Sequence, residues 1–496
     1  MSDKKPSNKT AYARLSFMLV LTLATQAVTI FKSSRVAALF GTSVEMDAFN
    51  FINSVSGFVF SFMGAGVCTV LIPYMARERQ PQRSINGFLT ALYAVSILLM
   101  AVFVALCRPV LNAVGVYTGE FVDIASSLAL IILLGQFMNT INSVSGAYLQ
   151  CRNSFNLPKA LTLGVTLGMT AIVYLYRGLD IYSYALFSFL LLLLEMAIQY
   201  GCAVRKGFHF HPTLPRKDSE LKQMFRIFLP TVFGSGVYQI TLMTDSVLSS
   251  GMGTGSISIL GYANTISGMI NTVVAGNIMT YLYPKIAAEI HTENGKKKIF
   301  QYMNLFAALM FTIVVLFIAA GYDAVRILFE RGAFTSESTR GVFLCVLLYV
   351  MGAPISIMRD VVYRFFYANG NTKGTFYNGL FASLMNIALS VALARVIGLY
   401  GIVLGTTLTA VFSFASILAR MKKTYGFDGN FRPFAVDLLK TLAAAAAAAA
   451  ICLLLKCCLR MLPSLLASLI CAAAGTAVFI LVLLITKSRV FQVELG

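Results

Sequence analysis

The sequence predicts an all-α polytopic membrane protein with fourteen transmembrane helices, arranged as two pseudo-symmetric six-helix lobes followed by two C-terminal helices. Hydrophobic residues make up 58% of the 496 residues, and charged residues make up only 12%. Soluble proteins carry about 25% charged residues, so a surface this poor in charge must largely face lipid. The composition therefore excludes a soluble enzyme, a disordered protein and a secreted domain held together by disulfides.

Long apolar stretches divide the chain into candidate membrane-spanning helices. A bilayer core of about 30 Å requires about 20 apolar residues per helix, whereas a barrel strand would show about 10 alternating residues. Apolar stretches between polar breaks give fourteen predicted spans: Ala11–Phe40, Asp47–Ala76, Asn86–Leu106, Phe121–Leu149, Pro158–Tyr176, Ile181–Val204, Leu221–Ser250, Ile257–Ala288, Ile299–Ala320, Gly341–Tyr367, Gly374–Val396, Leu399–Met421, Ala435–Leu455 and Leu462–Ile485.

Basic residues concentrate in alternate loops between these spans. The amino terminus and the loops containing Arg79, Arg152, Lys296–Lys298 and Lys423 lie on the basic side. Because cytoplasmic loops are enriched in Lys and Arg, both termini are predicted to be cytoplasmic. Most of the basic residues behind the formal net charge of +19 then mark the cytoplasmic side of the membrane. Basic residues confined to short loops between apolar spans do not suggest binding to nucleic acid.

The cysteines, histidines and known catalytic motifs indicate no enzymatic or metal centre of a familiar kind. The nine Cys residues contain no CxxC pair, and His209, His211 and His291 lie in predicted polar loops. This pattern predicts neither a disulfide framework nor a zinc site. The sequence also lacks a nucleotide-binding P-loop, a GxSxG motif and an HExxH motif. Transport without catalysis is therefore the predicted class.

Two distant segments match in register and predict the two lobes. Asn53–Glu78 and Asn264–Glu289 share an NxxSG start, a proline at the same distance and a final Glu before a basic loop. Parallel repeats around a midplane cavity are typical of transporters, although chance similarity between apolar helices is the alternative. We predict an N-terminal lobe at residues 1–215, a C-terminal lobe at residues 216–425 and helices 13 and 14 at residues 426–496.

Charged residues at predicted membrane depth are the candidates for substrate binding. They are Lys32, Arg35, Asp47, Arg359, Asp360 and Arg364. A charge at this depth costs about 2.5–3.5 kcal/mol, so it normally faces a cavity or a partner. Arg364 lies about one turn from Asp360 and can pair with it. For Lys32 and Arg35, snorkelling or pairing with Asp47 is the alternative. A cationic cavity would attract a phosphorylated headgroup.

Two further acidic residues lie deep in predicted spans. Glu195 and Asp245 are the deepest carboxylates of the chain by position in their spans. A protonated side chain that is merely packed is one interpretation of Glu195.

Five stretches carry motifs of a known family. They are Phe40-Gly41 with Asp47–Phe49, Gly64–Glu78, Tyr262–Gly268, the loop LFERGAFTSEST at Leu328–Thr339, and FYANGNTKG at Phe366–Gly374. Together they resemble the MurJ/MviN lipid II flippases of the MOP superfamily. The resemblance implies a flippase that moves an undecaprenyl-diphosphate-linked cell-wall precursor, lipid II in particular, to the outer leaflet by alternating access. It also implies a monomer among bacterial inner-membrane lipids, with helices 13 and 14 lining a lipid-tail groove.

The chain departs from this family at several positions. Where the resemblance implies Arg in helices 1, 2 and 8, the sequence has Gln26, Lys32, Val59 or Phe60, and Thr265. Arg359 and Arg364 are candidates to compensate. The departures leave open a flippase for another lipid-linked saccharide of O-antigen, capsule or teichoic type. A cation-coupled drug exporter, motivated by Asp245 and Glu195, and a scaffold that does not transport also stay open.

A sodium ion is the one cofactor that the resemblance suggests. Asp245, Asn386 and Thr406 match the family's sodium ligands, with the Ile402 carbonyl as a further ligand. Ser390 stands where a second carboxylate is expected. Hard oxygen ligands suit a hard cation, and hydrogen bonding between helices is the alternative role for these residues.

Overall fold

The computed structural model describes residues 8–75, 82–114, 118–152, 154–214, 218–276, 295–369, 371–426, 428–459 and 461–492. Within these ranges the chain is helical and contains no strand. The helices are α1 Asn8–Phe40, α2 Val44–Met75, α3 Gln82–Val114, α4 Gly119–Cys151, α5 Asn156–Leu175, α6 Ile181–Arg205, α7 Ser219–Ser250, α8 Ser256–Ile270, α9 Gly295–Phe329, α10 Ser336–Ala368, α11 Thr372–Ile397, α12 Leu399–Tyr425, α13 Asp428–Cys458 and α14 Ser464–Ile485. A π-helical turn, Asn271–Gly276, extends α8, and a 3-10 turn, Arg489–Gln492, follows α14.

Eleven of the described helices are long and apolar enough to cross a membrane. They are α1, α3 to α6 and α9 to α14. Large apolar side chains on these helices are exposed, as at Leu98 and Leu469, which are 62% and 65% exposed. Water would penalise such a surface and lipid would not, so the predicted helical, polytopic membrane class is confirmed. The predicted count of fourteen spans stays a prediction.

Some helices extend beyond the predicted ends. The third helix was expected at Asn86–Leu106, and α3 runs four residues earlier and eight later. The ninth was expected at Ile299–Ala320, and α9 continues to Phe329. Hydropathy marks where a helix leaves the apolar core, whereas backbone hydrogen bonds continue into the polar interface. The predicted eighth span reached Ala288, and its last part lies outside the described residues.

The chain forms two compact units, Met1–Ser258 and Ile259–Gly496. In the first unit, α2 packs against α4 and α7, α4 against α6, and α1 against α5. In the second, α9 packs against α10, α13 and α14, and α12 packs against α10 and α11. The predicted boundaries after residues 215 and 425 stay predictions. Parts of the two repeat segments (residues 76–78 and 277–289) and His291 fall outside the described residues.

Capping hydrogen bonds set where two of the helices begin. The side chain of Asp180 accepts the N–H of Ser183 at 3.0 Å at the start of α6. The Thr335 hydroxyl oxygen accepts the N–H of Ser338 at 3.3 Å at the start of α10. First-turn N–H groups have no partner within the helix, so these side chains stabilise the helix starts. Gly332, with φ of 60°, allows the turn that precedes α10.

Candidate functional site

A cavity of about 600 Å³ lies along α4, α5 and α6, and Lys32 of α1 completes its lining. We call this cavity the polar groove. On α4 its lining residues include Asn139, Asn142 and Gly146, which are spaced by three and four positions. On α6, Ser188 and Glu195 are separated by seven positions. Each helix therefore presents one polar face to the groove, because residues at these spacings share a side of a helix.

Three charged side chains line the polar groove in a fixed order along its length. On α5 the lining residues run from Pro158 to Met169, which corresponds to about 16 Å at 1.5 Å per residue. Lys159 lies at the first end. Thr162, one turn further on, donates a hydrogen bond of 2.9 Å to Oε1 of Glu195.

Lys32 lies toward the other end of the polar groove. The hydroxyl of Tyr174, near the carboxyl end of α5, donates to the carbonyl of Phe31 at 3.4 Å. This contact places the adjacent Lys32 beside that end of α5. The groove therefore carries a cation, an anion and a second cation in sequence.

Several polar atoms of the polar groove have unused hydrogen-bonding capacity. Gln199 is 3% exposed, and its Nε2 donates to the Asn142 carbonyl at 2.6 Å and to the Ser145 hydroxyl at 3.0 Å, which ties α6 to α4. In contrast, Oδ1 of Asn142 is buried and accepts no hydrogen bond from any described residue. Within the described ranges, Lys32 and Lys159 form no ion pair. The groove is thus equipped to bind a polar ligand.

The other two predicted site residues of the first unit have structural partners. The Arg35 guanidinium lies over the ring of Tyr174, 5.8 Å from its centroid. Asp47 is 4% exposed, and its Oδ2 accepts the N–H of Gly255 at 2.6 Å. Its Oδ1 accepts the N–H and the hydroxyl of Ser258 at 2.7 and 2.6 Å.

Asp47 therefore caps the amino terminus of α8, where a carboxylate interacts favourably with the unpaired N–H groups and the helix dipole. The alternative pairing of Asp47 with Lys32 or Arg35 is wrong for the described chain, because no ion pair within 4.0 Å joins these residues and the carboxylate instead accepts hydrogen bonds from Gly255 and Ser258. Whether Asp47 or Arg35 also contacts substrate stays a prediction.

In the second unit, the charged residues of α10 pair differently from the prediction. Arg359 Nη2 lies 3.2 Å from Oδ1 of Asp360, and its guanidinium also lies 5.6 Å from the ring centroid of Tyr363. Asp360 therefore pairs with its neighbour Arg359, where the helix spacing had favoured Arg364. The two neighbouring Cβ atoms diverge by about 100°, but the long Arg side chain folds back to reach the carboxylate. Arg364 lies half-buried one turn further on.

Three of the four predicted sodium ligands come together where α11 meets α12. Asn386 Nδ2 donates to the Thr406 hydroxyl oxygen at 2.9 Å, and the Ser390 hydroxyl donates to Asn386 Oδ1 and to the Ile402 carbonyl, both at 3.4 Å. We call these four residues the α11–α12 polar cluster. The fourth predicted ligand, Asp245, is buried on α7 in the first unit.

The donor set of the α11–α12 polar cluster is neutral and is internally hydrogen-bonded. The described part of the chain contains no group of three or more His, Cys, Asp and Glu residues that could hold a metal ion. The arrangement fits hydrogen bonding between helices, and the sodium site stays a prediction.

Sequence reasoning identified Lys32 and noted Glu195, but it missed the polar groove that contains both. The signal was present in α4, where Asn139, Ser143 and Gln150 recur on one face of an otherwise apolar helix. Such a polar face within a membrane span indicates a partner or a cavity. Reading each span for polar periodicity, in addition to charge, would have found it.

The sequence matches one protein family and several of its curated members. The family model described as lipid II flippase MurJ matches residues 36–471. A probable lipid II flippase MurJ of Synechocystis sp. is 23% identical over 83% of this chain and 82% of its own length. One of Rickettsia prowazekii is 25% identical over 47% of this chain. The chain covers only 46% of the length of that second relative.

Solved structures show the same fold. A lipid II flippase MurJ in an inward closed conformation aligns with a TM-score of 0.76 over 96% of this chain and 99% of its own, at 18% identity. An inward-facing multidrug resistance MATE family transporter of the MOP superfamily aligns with a TM-score of 0.64 over 81% of this chain and 96% of its own, at 16% identity. With its family model matched over most of its length, the chain belongs to the lipid II flippase MurJ family.

Proposed function

We propose that this protein is a flippase that moves a lipid-linked diphosphate saccharide, lipid II in particular, from the cytoplasmic to the outer leaflet of the bacterial inner membrane. The observation that carries the proposal is the polar groove, because its walls are helices whose other faces are apolar enough to contact lipid. A polar headgroup loses its hydrogen bonds to water inside a bilayer. A groove lined by amides, hydroxyls and charges replaces them.

Lys32 and Lys159 are suited to the phosphates of such a substrate. Each ammonium group lines the groove, and an ammonium binds phosphate as a point charge. Lys32 also stands where the resemblance implies an Arg, so positive charge is kept at that position. Arg364 supplies further positive charge on α10 of the second unit, where Arg359 is paired with Asp360.

The proposal includes a topology. It has fourteen spans with both termini in the cytoplasm, two six-helix lobes and a C-terminal helix pair. The distribution of basic loops supports the orientation. The protein acts as a monomer by alternating access and performs no covalent chemistry. Its partners are the lipid-linked substrate and the surrounding lipids.

Complementation tests the proposal. The full chain, expressed in a bacterium whose own lipid II flippase is depleted, is expected to restore growth. Lys32→Glu places an anion in the groove and is expected to abolish rescue. Arg395→Glu, an exposed charge reversal in the last turn of α11, serves as the matched control and is expected to rescue.

Failure of the unchanged chain to rescue, with normal amounts in the membrane, would contradict the lipid II assignment. Rescue of a strain depleted of an O-antigen or capsule precursor flippase would then support the second candidate, which the missing Arg residues favour. Rescue by Lys32→Glu equal to that of the unchanged chain would favour a scaffold that does not transport.

Sodium coupling is an additional proposal that this function does not require. If Asn386, Ile402 and Thr406 hold a sodium ion together with Asp245, rescue and substrate binding should depend on sodium and be lost in Asp245→Asn. Binding that is the same in sodium and in choline buffers would argue against it.

A further inference from the structure

The polar groove differs from a simple phosphate site because a carboxylate lies between its two lysines. Glu195 is 7% exposed and lines the same cavity as Lys32 and Lys159. A ligand that carries only phosphate would gain from the lysines and be repelled by Glu195. A cationic drug would be attracted by Glu195 and repelled by the two lysines. An uncharged saccharide would need none of the three charges.

Glu195 also has capacity that the protein leaves unused. Its Oε1 accepts the hydrogen bond from Thr162, whereas no described residue donates to Oε2. A carboxylate at membrane depth is normally paired, and within the described ranges Glu195 has no basic partner within 4.0 Å. The buried Oδ1 of Asn142, on the facing helix, is a second acceptor without a donor. Both atoms are available to accept hydrogen bonds from a ligand.

We propose that the polar groove binds a headgroup that carries an ammonium group between anionic groups, as a peptide-bearing lipid-linked saccharide does, with Glu195 contacting the ammonium and Lys32 and Lys159 contacting the anions. This inference rests on the proposed function and specifies its substrate class. The groove's volume of about 600 Å³ lies within the range of about 300–1,000 Å³ that is usual for small-ligand sites. Its length of about 16 Å suits a short peptide, which spans up to about 3.5 Å per residue.

The test measures binding of three lipid probes to the purified full chain in nanodiscs. The first probe is lipid II with a lysine-containing peptide, the second is the same lipid with the lysine amine acetylated, and the third is undecaprenyl diphosphate. Glu195→Gln keeps the shape of the side chain and an acceptor for Thr162 but removes the charge. Glu120→Gln, at an exposed position in the first turn of α4, is the matched control.

We expect Glu195→Gln to bind the first probe about 10-fold more weakly than the unchanged chain, the usual scale of one charge-assisted hydrogen bond. The unchanged chain should lose the same factor when the amine is acetylated, and combining variant and acetylated probe should cost no more. Undecaprenyl diphosphate carries no ammonium group, so Glu120→Gln should bind it as the unchanged chain does, and Glu195→Gln should bind it at least as tightly, because the repulsion from the carboxylate is removed. The acetylated probe keeps the test decisive if the variant fails to fold.

Two outcomes separate failure of this inference from failure of the proposed function. If the unchanged chain binds all three probes and neither acetylation nor Glu195→Gln weakens binding, the ammonium site is wrong and the flippase proposal stands. If the unchanged chain binds none of the probes, the proposed substrate class itself is wrong. Binding of ethidium that depends on Glu195 would assign the groove to cationic drugs and overturn the inference.

Discussion

Two regions of the molecule bury polar side chains, and they do so in different ways. The α11–α12 polar cluster is neutral, and its side chains hydrogen bond to one another across two closely packed helices. A Cβ added at Gly405 would lie 2.9 Å from the backbone nitrogen of Ser390, which shows how near the helices approach. The polar groove in the first unit is charged and open, and several of its atoms have no partner in the described chain.

This difference distinguishes polar groups that hold helices together from polar groups that bind a ligand. Polar groups that are satisfied across a helix contact hold the helices together, and their loss costs stability. Polar groups that line a cavity and remain unsatisfied cost stability and persist where a ligand completes them. Substitutions in the groove should therefore impair transport, and substitutions in the cluster should impair stability.

The largest expected effect comes from filling the polar groove. Ser143 lines the groove, and its hydroxyl donates only to the carbonyl of Asn139 in its own helix. Ser143→Trp should therefore be tolerated by the fold while its ring occupies the space of the substrate. We expect the transport rate to fall roughly 100-fold or more, because a headgroup that is excluded from the groove is no longer held in position. The variant should then fail to restore growth in the complementation assay.

Ser127→Trp is the matched control for this substitution. Ser127 lies on the same helix, is exposed and makes the same kind of bond, to the Asp123 carbonyl at 2.8 Å. It is expected to support growth. Equal rescue by both Trp variants, at equal membrane amounts, would show that the groove is not on the path of the substrate.

A moderate effect, on stability alone, is expected in the α11–α12 polar cluster. Asn386→Leu removes the hydrogen bond to Thr406 and the acceptor of Ser390. Hydrogen bonds between membrane helices contribute about 0.6 kcal/mol on average and up to about 1.7 kcal/mol, so we expect a loss near 1 kcal/mol and a drop of a few degrees in melting temperature. Rescue of growth should persist.

Ala388→Leu, at an exposed position of α11, is the control for added apolar volume and should melt as the unchanged chain does. If Asn386→Leu instead keeps its melting temperature and loses sodium-dependent binding, the cluster is a cation site and the contrast with the groove disappears.

The sequence was sufficient for the fold class and for the family but not for the contacts of single side chains. Apolar length reports burial in lipid directly, so spans such as α5 and α6 were predicted to within two residues at each end. Partners were harder, because helix-face geometry paired Asp360 with Arg364 whereas the flexible Arg359 reaches it first. The capping role of Asp47 was hidden, because its partners Gly255 and Ser258 are distant in sequence.

The smallest expected effect concerns a polar contact that is exposed to water, in contrast to the two buried polar regions. Asp180 is exposed and caps α6, one wall of the groove, and its hydrogen bonds with Ser183 hold the pKa of this carboxyl below its ordinary value of 3.8. A lowered folded-state pKa means that the stabilisation is present above the unfolded-state pKa and is lost as the pH falls through the folded-state pKa. Asp180→Ala should therefore melt slightly below the unchanged chain at neutral pH, by about 0.5 kcal/mol in unfolding free energy, and the difference should narrow in acid. Asp180→Asn keeps the cap without the titration, so it should lie between the two at neutral pH and overtake the unchanged chain below pH 3.8. A difference between Asp180→Ala and the unchanged chain that persists undiminished in acid would show that the charge of the carboxylate contributes nothing to the start of α6. The exposed cap would then stabilise the protein as the neutral α11–α12 polar cluster does, by hydrogen bonding without charge.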